Sequence, residues 1–166
     1  MFRLYKLFLV GFSSAILFSS NTLALDSYEW SMDINTGSKH SDQSYKNSYG
    51  NNQYYNEDNE GFGITYGYKD YLDIKMGFFE NSYFKTSTYI GAVLNKDFYI
   101  FNDIVISPGL GLMLTTGYDD TPIDAPVIAP IFHPSISFGH KLLRSTIGYI
   151  PYGEDKVITF QTQILF

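Results

Sequence analysis

The strongest constraint on the fold of this chain is an alternation of apolar and polar residues with a period of two. Large apolar residues take every second position in segments 28–35 and 72–78, and in 61–68 the positions between them are mostly glycine. In the last segment one face carries Ile158, Phe160, Ile164 and Phe166, and the other Thr159, Gln161 and Gln163. Successive side chains of a strand point to opposite faces, so this pattern predicts strands and not helices.

The alternating segments predict eight strands, at 28–40, 60–69, 71–81, 87–101, 104–117, 127–139, 143–150 and 156–166. The connections after the second, fourth and sixth are tight, at 69–70, 102–103 and 139–141, whereas the others are longer or richer in turn residues, with 41–59 the longest. Short turns at one end and long loops at the other are typical of outer-membrane barrels. We therefore predict an all-β fold, an eight-stranded antiparallel up-and-down outer-membrane β-barrel with both termini on the periplasmic side.

A soluble β-sandwich or a lipocalin-like barrel would also alternate. Two features favour the membrane. Aromatic residues cluster near strand ends, as interface girdles require, at Tyr28, Trp30, Tyr66, Tyr68, Tyr83, Tyr89 and Tyr149. The opposite face is polar or glycine, so the chain lacks a conventional hydrophobic interior. A porin is disfavoured because eight strands enclose too little space for an aqueous channel.

The first residues have the layout of a secretory signal peptide. Arg3 and Lys6 precede an apolar run at 7–18, and small residues then lead to a cleavage point after Ala24. A membrane anchor is the alternative, but the run is shorter than the roughly 20 residues that span a bilayer. We predict a signal peptide at 1–24 and one transmembrane barrel domain at 25–166.

Composition excludes several function classes. The chain has no cysteine, which rules out disulfides, cysteine-ligated zinc and thiol catalysis. Its net charge of −6 argues against a nucleic-acid partner. The acidic residues Asp119, Asp120 and Asp124 admit a calcium site, but a solvated acidic loop is the commoner case and we predict no metal.

His40 and Ser82 are the main candidates for chemistry. Each lies at the outer end of a predicted strand, and a histidine beside a serine is the minimum for base-assisted acyl transfer to or from a hydroxyl. If the period-two alternation is counted without interruption, however, both residues fall on lipid-facing positions, while Asn81 points inward. Either a bulge near Gly37 resets the first strand or the pair lies on the rim above the membrane. We favour the rim.

Two other histidines are weaker candidates. His133-Pro134-Ser135 places a His-x-Ser pair on one strand face, which is similar to lipid A deacylases of the PagL type, but the asparagine that commonly follows there is Ile136 here. We favour a proline-kinked strand. His140 falls in a predicted periplasmic turn, where we expect it to be solvated.

Most of the chain after the leader resembles the PagP family of outer-membrane lipid A palmitoyltransferases. The resemblance rests on the order and spacing of short fragments, namely Asp26 to Trp30, Lys39-His40-Ser41, Tyr55-Asn56-Glu57, Gly61 to Ile64, Met76-Gly77-Phe78, Asn81-Ser82-Tyr83, Gly91, Gly109-Leu110-Gly111, Pro126 to Pro130, and Tyr149-Ile150-Pro151.

The resemblance implies a barrel whose interior holds one acyl chain. A phospholipid would enter from the outer leaflet through gaps between strands, and Pro126, Pro130 and Pro151 are well placed to weaken strand pairing there. The family's catalytic histidine falls on His40, and its Asp-Ser pair falls on Asn81-Ser82. Ser82 and His40 would position the acyl ester and the acceptor hydroxyl, with nearby donors stabilising the oxyanion.

Three departures from the family matter. Asn81 replaces the family's aspartate; asparagine holds no charge but donates hydrogen bonds, and the nearest carboxylate is Glu80, which we interpret as an exposed strand-end charge. Too few residues separate Trp30 from His40 for the family's N-terminal amphipathic helix. The glycine at the family's acyl-pocket floor falls on Val93, which predicts a chain shorter than palmitoyl.

The sequence therefore predicts an outer-membrane acyltransferase that moves an acyl chain from an outer-leaflet glycerophospholipid to lipid A or another lipid hydroxyl. No cofactor is expected, because the donor is already an ester, and a monomer is expected. The alternatives are a non-catalytic lipid-binding or structural barrel, which Asn81 favours, and a deacylase or phospholipase, in which water replaces the acceptor.

Overall fold

The computed structural model describes residues 30–166 except 48, 102, 120, 122–125 and 153–154. The predicted signal peptide, the start of the first predicted strand and part of the predicted acidic loop lie outside the described residues. Within the described part, no helix is long and apolar enough to cross a membrane.

The structure is almost entirely β-strand. Its elements are β1 (Trp30–His40), β2 (Ser44–Lys46), β3 (Asn52–Tyr54), β4 (Gly61–Tyr68), a 3-10 turn (Lys69–Tyr71), β5 (Leu72–Glu80), β6 (Thr86–Asn95), β7 (Phe98–Phe101), β8 (Ile104–Thr115), β9 (Ala129–His140), β10 (Leu143–Tyr152) and β11 (Asp155–Leu165).

Eight antiparallel strands close into a barrel, which confirms the predicted fold class. Sequential neighbours pair around the sheet, and β1 pairs with β11 to complete the ring, with Ser31 opposite Leu165 and His40 opposite Val157. Strands β6 and β7 count as one barrel strand because both pair with β8. Each of the eight barrel strands thus pairs with a neighbour on both sides over at least part of its length.

The barrel strands begin and end within two residues of the predicted positions, with two differences in detail. The fourth predicted strand is interrupted at Lys96-Asp97, opposite Pro108, whose carbonyl accepts from the Lys96 N–H. The longest loop contains a small hairpin in which β2 pairs with β3. The hairpin is too short for period-two alternation to reveal it.

The two faces of the wall follow the predicted alternation. Apolar side chains cover the outside, and near the short turns Trp30 lies against Tyr66 with ring centroids 5.0 Å apart, as an interface girdle requires. Two of the predicted girdle residues are wrong, because Tyr83 and Tyr89 line the barrel interior. The prediction for Tyr89 rested on its proximity to a strand end, but its position in the alternation of β6 turns the side chain inward.

The interior nearest the short turns is filled by a polar network. The fully buried Asp33 accepts hydrogen bonds from Thr65 (2.6 Å) and Gln163 (2.9 Å), and the Lys75 ammonium lies 3.3 Å from it. Arg144 donates two parallel hydrogen bonds to Asp97, at 2.9 and 2.7 Å. These bonds pair buried polar and charged side chains with one another inside this half of the barrel.

Candidate functional site

A cavity of about 170 Å³ lies inside the barrel, in the half nearest the long loops. Its apolar wall includes Phe79, Met113, Ile131 and Ile150. Polar side chains form its two ends: His40 and Ser82 at the end nearest the long loops, and Asn35, Lys75 and Gln161 on the side of the polar network. An apolar chamber with a few polar groups is the ordinary form of a small-molecule site.

A β-bulge in β1 turns His40 into this cavity. The register of β1 against β11 shifts between Asn35 and Gly37, so that Ser38 and His40 point inward. Gly37 has a φ of +153°, and a Cβ there would overlap the carbonyl of Glu57, which accepts the Ser38 N–H at 2.9 Å. The rim position that we favoured is therefore wrong for His40, which is a strand residue; the bulge resets its parity.

Ser82 lies in the turn at 81–85 that follows β5, beyond the end of the strand. The turn is held against the long loop, because the Asn56 N–H donates to the Ser82 carbonyl at 2.9 Å. His40 Nε2 lies 2.7 Å from Ser82 Oγ, and both residues are only 8% exposed. The structure thus joins two residues separated by 42 positions into a buried imidazole–hydroxyl pair.

Loop residues fix the orientation of the His40 ring. Tyr55 stacks on it with centroids 3.9 Å apart and planes inclined by 7°. Tyr45 and Tyr83 pack around Tyr55 with ring centroids at 5.1 and 5.7 Å. Sequence reasoning named Tyr55 only within a fragment of the family resemblance and gave it no role in the site, because its contact with His40 depends on residues far apart in the chain.

Glu57 ties this loop to β1 through two hydrogen bonds. Its carboxylate accepts from Lys39 Nζ at 2.6 Å and from the His40 N–H at 3.3 Å. The hydrogen bond from Lys39 is the main reason that the pKa of Glu57 lies below its ordinary value, and the bond from His40 acts in the same direction.

Asn81 is buried beside the pair, but its amide is used to hold the turn. Its Oδ1 accepts the N–H groups of Tyr83 (2.9 Å) and Lys85 (3.1 Å). Its Nδ2 donates to Ser87 Oγ (3.0 Å) and the Gly117 carbonyl (2.7 Å). Both amide hydrogens are engaged, so the geometry gives Asn81 a positioning role. Glu80 is exposed at the end of β5.

The remaining predicted residues lie apart from the imidazole–hydroxyl pair. Val93 is 7% exposed in β6 but does not line the cavity, whose inner end is formed by Lys75 and Gln161. His133 does line the cavity, and its Nε2 lies 2.9 Å from Thr159 Oγ1. His140 lies at the opposite end of the barrel, half-exposed and 3.9 Å from Asp103.

The barrel wall is split beside the cavity. Strands β9 and β10 pair from Leu143 opposite His140 to Gly148 opposite Ser135, and in the described part of the chain no pair continues beyond. Yet both strands extend further, as residues 129–134 and 149–152, each paired on its other side with β8 or β11. Two of the prolines expected to weaken pairing, Pro130 and Pro151, flank this split.

Comparisons with known proteins bear on the fold. No protein-family model matches the chain, and no curated protein sequence matches it significantly. Among solved structures, one reported under "De novo design of transmembrane beta-barrels" is 12% identical, with a TM-score of 0.59 over 85% of this chain and 98% of that chain.

Two further solved structures are similar to this chain at low sequence identity. The solution structure of the de novo designed TMB2.3 is 12% identical, with a TM-score of 0.50 over 84% and 94% of the two chains. Ail, the attachment invasion locus protein of Yersinia pestis, solved with the heparin analogue sucrose octasulfate, is 15% identical over 84% and 97%, with a TM-score of 0.34. The designed barrels identify the architecture as that of a transmembrane β-barrel.

Proposed function

We propose that this protein is an outer-membrane acyltransferase that moves a fatty acyl chain from a glycerophospholipid to a hydroxyl of lipid A. The observation that carries the proposal is the buried hydrogen bond between His40 and Ser82 in the lining of a barrel cavity. The sequence resemblance to the PagP family supports the substrate class, and the layout of the first 24 residues supports export from the cytoplasm.

The pair supplies the groups that acyl transfer requires. His40 Nε2 takes the Ser82 hydroxyl proton as Ser82 Oγ attacks the donor ester carbonyl, and the imidazolium then protonates the departing glycerol oxygen, releasing a lysophospholipid. In the second half, His40 takes the acceptor hydroxyl proton, the acceptor oxygen attacks the acyl-serine, and Ser82 regains its proton. No cofactor is needed, because the donor acyl group is already an ester and His40 carries each proton that moves.

The split between β9 and β10 supports the direction from which the donor arrives. A glycerophospholipid stays in the leaflet while one chain passes sideways through the wall into the cavity beside His133 and Ile150. Prolines favour such a gap because each lacks the N–H that a continuous ladder needs. The apolar wall at Phe79, Met113 and Ile131 receives the chain.

The proposal is tested by refolding residues 25–166 into vesicles of phosphatidylcholine and lipid A and following the mass of lipid A. Wild type should add one acyl mass, and Ser82→Ala and His40→Ala should lower the rate at least about a hundredfold, the scale of a lost general base. His140→Ala and Ser145→Ala are matched controls, since both residues lie away from the cavity lining.

Other outcomes separate the alternatives. Free fatty acid without acylated lipid A would make the site a hydrolase. A folded barrel that binds phospholipid but turns nothing over would be a lipid-binding or structural barrel. Equal rates in Ser82→Ala and wild type would remove the serine from the mechanism.

A further inference from the structure

The side chain of His133 reaches across a neighbouring strand. His133 is on β9 and its hydrogen-bond partner Thr159 is on β11, with β10 between them in the sheet. Adjacent strands are about 4.8 Å apart, so the side chains bridge roughly twice that distance. By contrast, Ser137 and Thr146 join the adjacent strands β9 and β10 at 2.7 Å.

Gly148 makes this crossing possible. It lies on β10 between the two partners, opposite Ser135 on one side and Thr159 on the other. A Cβ at this position would overlap the His133 ring and crowd the Thr159 hydroxyl. Any other residue here would push the imidazole away from the wall, so the glycine and the bridge belong together.

The bridge lies where the pairing of β9 and β10 stops. Gly148 and Ser135 form the last pair, and His133 is the first inward-facing residue beyond it. Beyond this point no backbone ladder joins the described residues of the two strands. Backbone hydrogen bonds do not hold β9 and β10 together beyond this pair. Side-chain contacts therefore determine how far along the strands the separation extends.

We propose that the hydrogen bond between His133 and Thr159, the His133 strap, holds the base of the split and limits how far the barrel wall opens toward the short turns. The strap ties β9 to β11 from inside and clamps the Gly148 backbone of β10 against the wall. His133 is thus a positioning residue for the lateral opening. A role of the strap in limiting which acyl chain enters the cavity rests on the proposed function. The existence of the strap does not depend on that function.

Spin-label distances across the split test the proposal without any substrate. The chain has no cysteine, so pairs of cysteines can be introduced cleanly. Phe132→Cys with Tyr149→Cys labels the split from outside, since both side chains face outward. Phe138→Cys with Ser145→Cys labels the paired region of the same strands, where these residues lie opposite each other.

Removing the strap should lengthen and broaden only the distances across the split. In folded barrels in vesicles, we expect His133→Ala, Thr159→Val and Gly148→Ala each to lengthen them by about one strand spacing, ~5 Å. Gly148→Ala changes neither partner of the strap. If it lengthens the distances as the other two variants do, the effect cannot come from loss of the imidazole or of the hydroxyl themselves. His133→Gln, whose amide can still reach the threonine, should restore most of the wild-type distribution.

Thr146→Val is the matched control. It removes a hydroxyl–hydroxyl bond between β9 and β10 where the ladder is intact, so neither label pair should change. Thr159→Val is nearly isosteric and should fold even where the other variants do not. Unchanged distances in Thr159→Val and Gly148→Ala would overturn the strap. Acyl transfer plays no part in this readout, so failure of the proposed function would leave the result standing.

Discussion

The imidazole of His40 and the phenol ring of Tyr55 lie face to face, with centroids 3.9 Å apart and planes 7° from parallel. The ring that contacts Ser82 is therefore held by a loop residue and not only by its own strand. A general base works when its lone pair stays aimed at the proton it removes.

Replacing Tyr55 separates stacking from the phenol hydroxyl. Tyr55→Phe keeps the ring and should retain acyl transfer, whereas Tyr55→Ala should lower the rate about two- to tenfold, the value of an aromatic pair at ~0.5–1.5 kcal/mol. The measurement is the initial rate of lipid A acylation. Equal losses in both variants would point to the hydroxyl and contradict the stacking role.

Asn81→Asp should damage the site, although it introduces the residue that the PagP family carries at this position. A carboxylate cannot donate to the Gly117 carbonyl or to Ser87 Oγ, and its negative charge would face the partial negative charge of the carbonyl oxygen. We expect a loss of ~1–3 kcal/mol in unfolding free energy, the cost of buried polar groups left unsatisfied. Urea unfolding in detergent measures it, with Ser87→Ala as the milder control. Gain of activity in Asn81→Asp would refute the positioning role.

Lys75 and Asp33 should show strong coupling in stability. Their side chains are 9% and 0% exposed and lie 3.3 Å apart, so removing one partner leaves an uncompensated buried charge. Lys75→Met or Asp33→Asn should each cost ~3–5 kcal/mol, while the double variant should cost less than the sum. Unfolding titrations of the four proteins in one lipid system give the coupling. Additive losses would mean that the two charges do not interact.

Glu57 should make the loop above the site sensitive to acid. Because its pKa in the folded protein is lowered from 4.5, its stabilising contribution is complete above that pH and is lost as the pH falls through the lower folded-state value. Hydrogen exchange at the His40 amide, which donates to Glu57, should therefore gain an acid-dependent opening. Glu57→Gln should lack this pH dependence. If hydrogen exchange in Glu57→Gln varied with pH as it does in wild type, the prediction would be contradicted.

Variants of Met113 and Val93 test which residue limits the length of the acyl chain that the cavity accepts. Met113 lines the cavity, whereas Val93 is buried outside its lining. If the cavity receives the chain, Met113→Ala should lengthen the acyl group added to lipid A, and Val93→Gly should leave its length unchanged. Mass spectrometry of the product decides between them, and a longer chain in Val93→Gly would restore the expectation drawn from family resemblance.

The sequence anticipated the wall of the barrel well. Period-two alternation is a local property, so it identified eight strands and their faces, and loop lengths identified the up-and-down order. At the carboxyl end, Thr159, Gln161 and Gln163 were assigned to the face opposite Ile158 and Phe160, and they point inward. Each of these inferences needs only residues close together in the chain.

The site was harder to predict, because its geometry depends on residues far apart in the chain. Strict counting put His40 on the lipid side, and only the bulge beside Gly37, which fits against Glu57, turns it inward. Asn81 was recognised as inward-facing, but its four partners come from its own turn, from β6 and from the segment after β8. Pairing partners of this kind leave no mark in the local pattern.

The sequence by itself thus determined the architecture: a closed antiparallel wall, apolar outside and polar or glycine inside. Only the tertiary structure decided where that wall bulges, where β9 and β10 part, and which side chains meet inside. The physical reason is that alternation encodes the two faces of each strand separately. The contact of His40 with Ser82 and the reach of His133 over Gly148 exist only once closure has brought distant strands to a common interior.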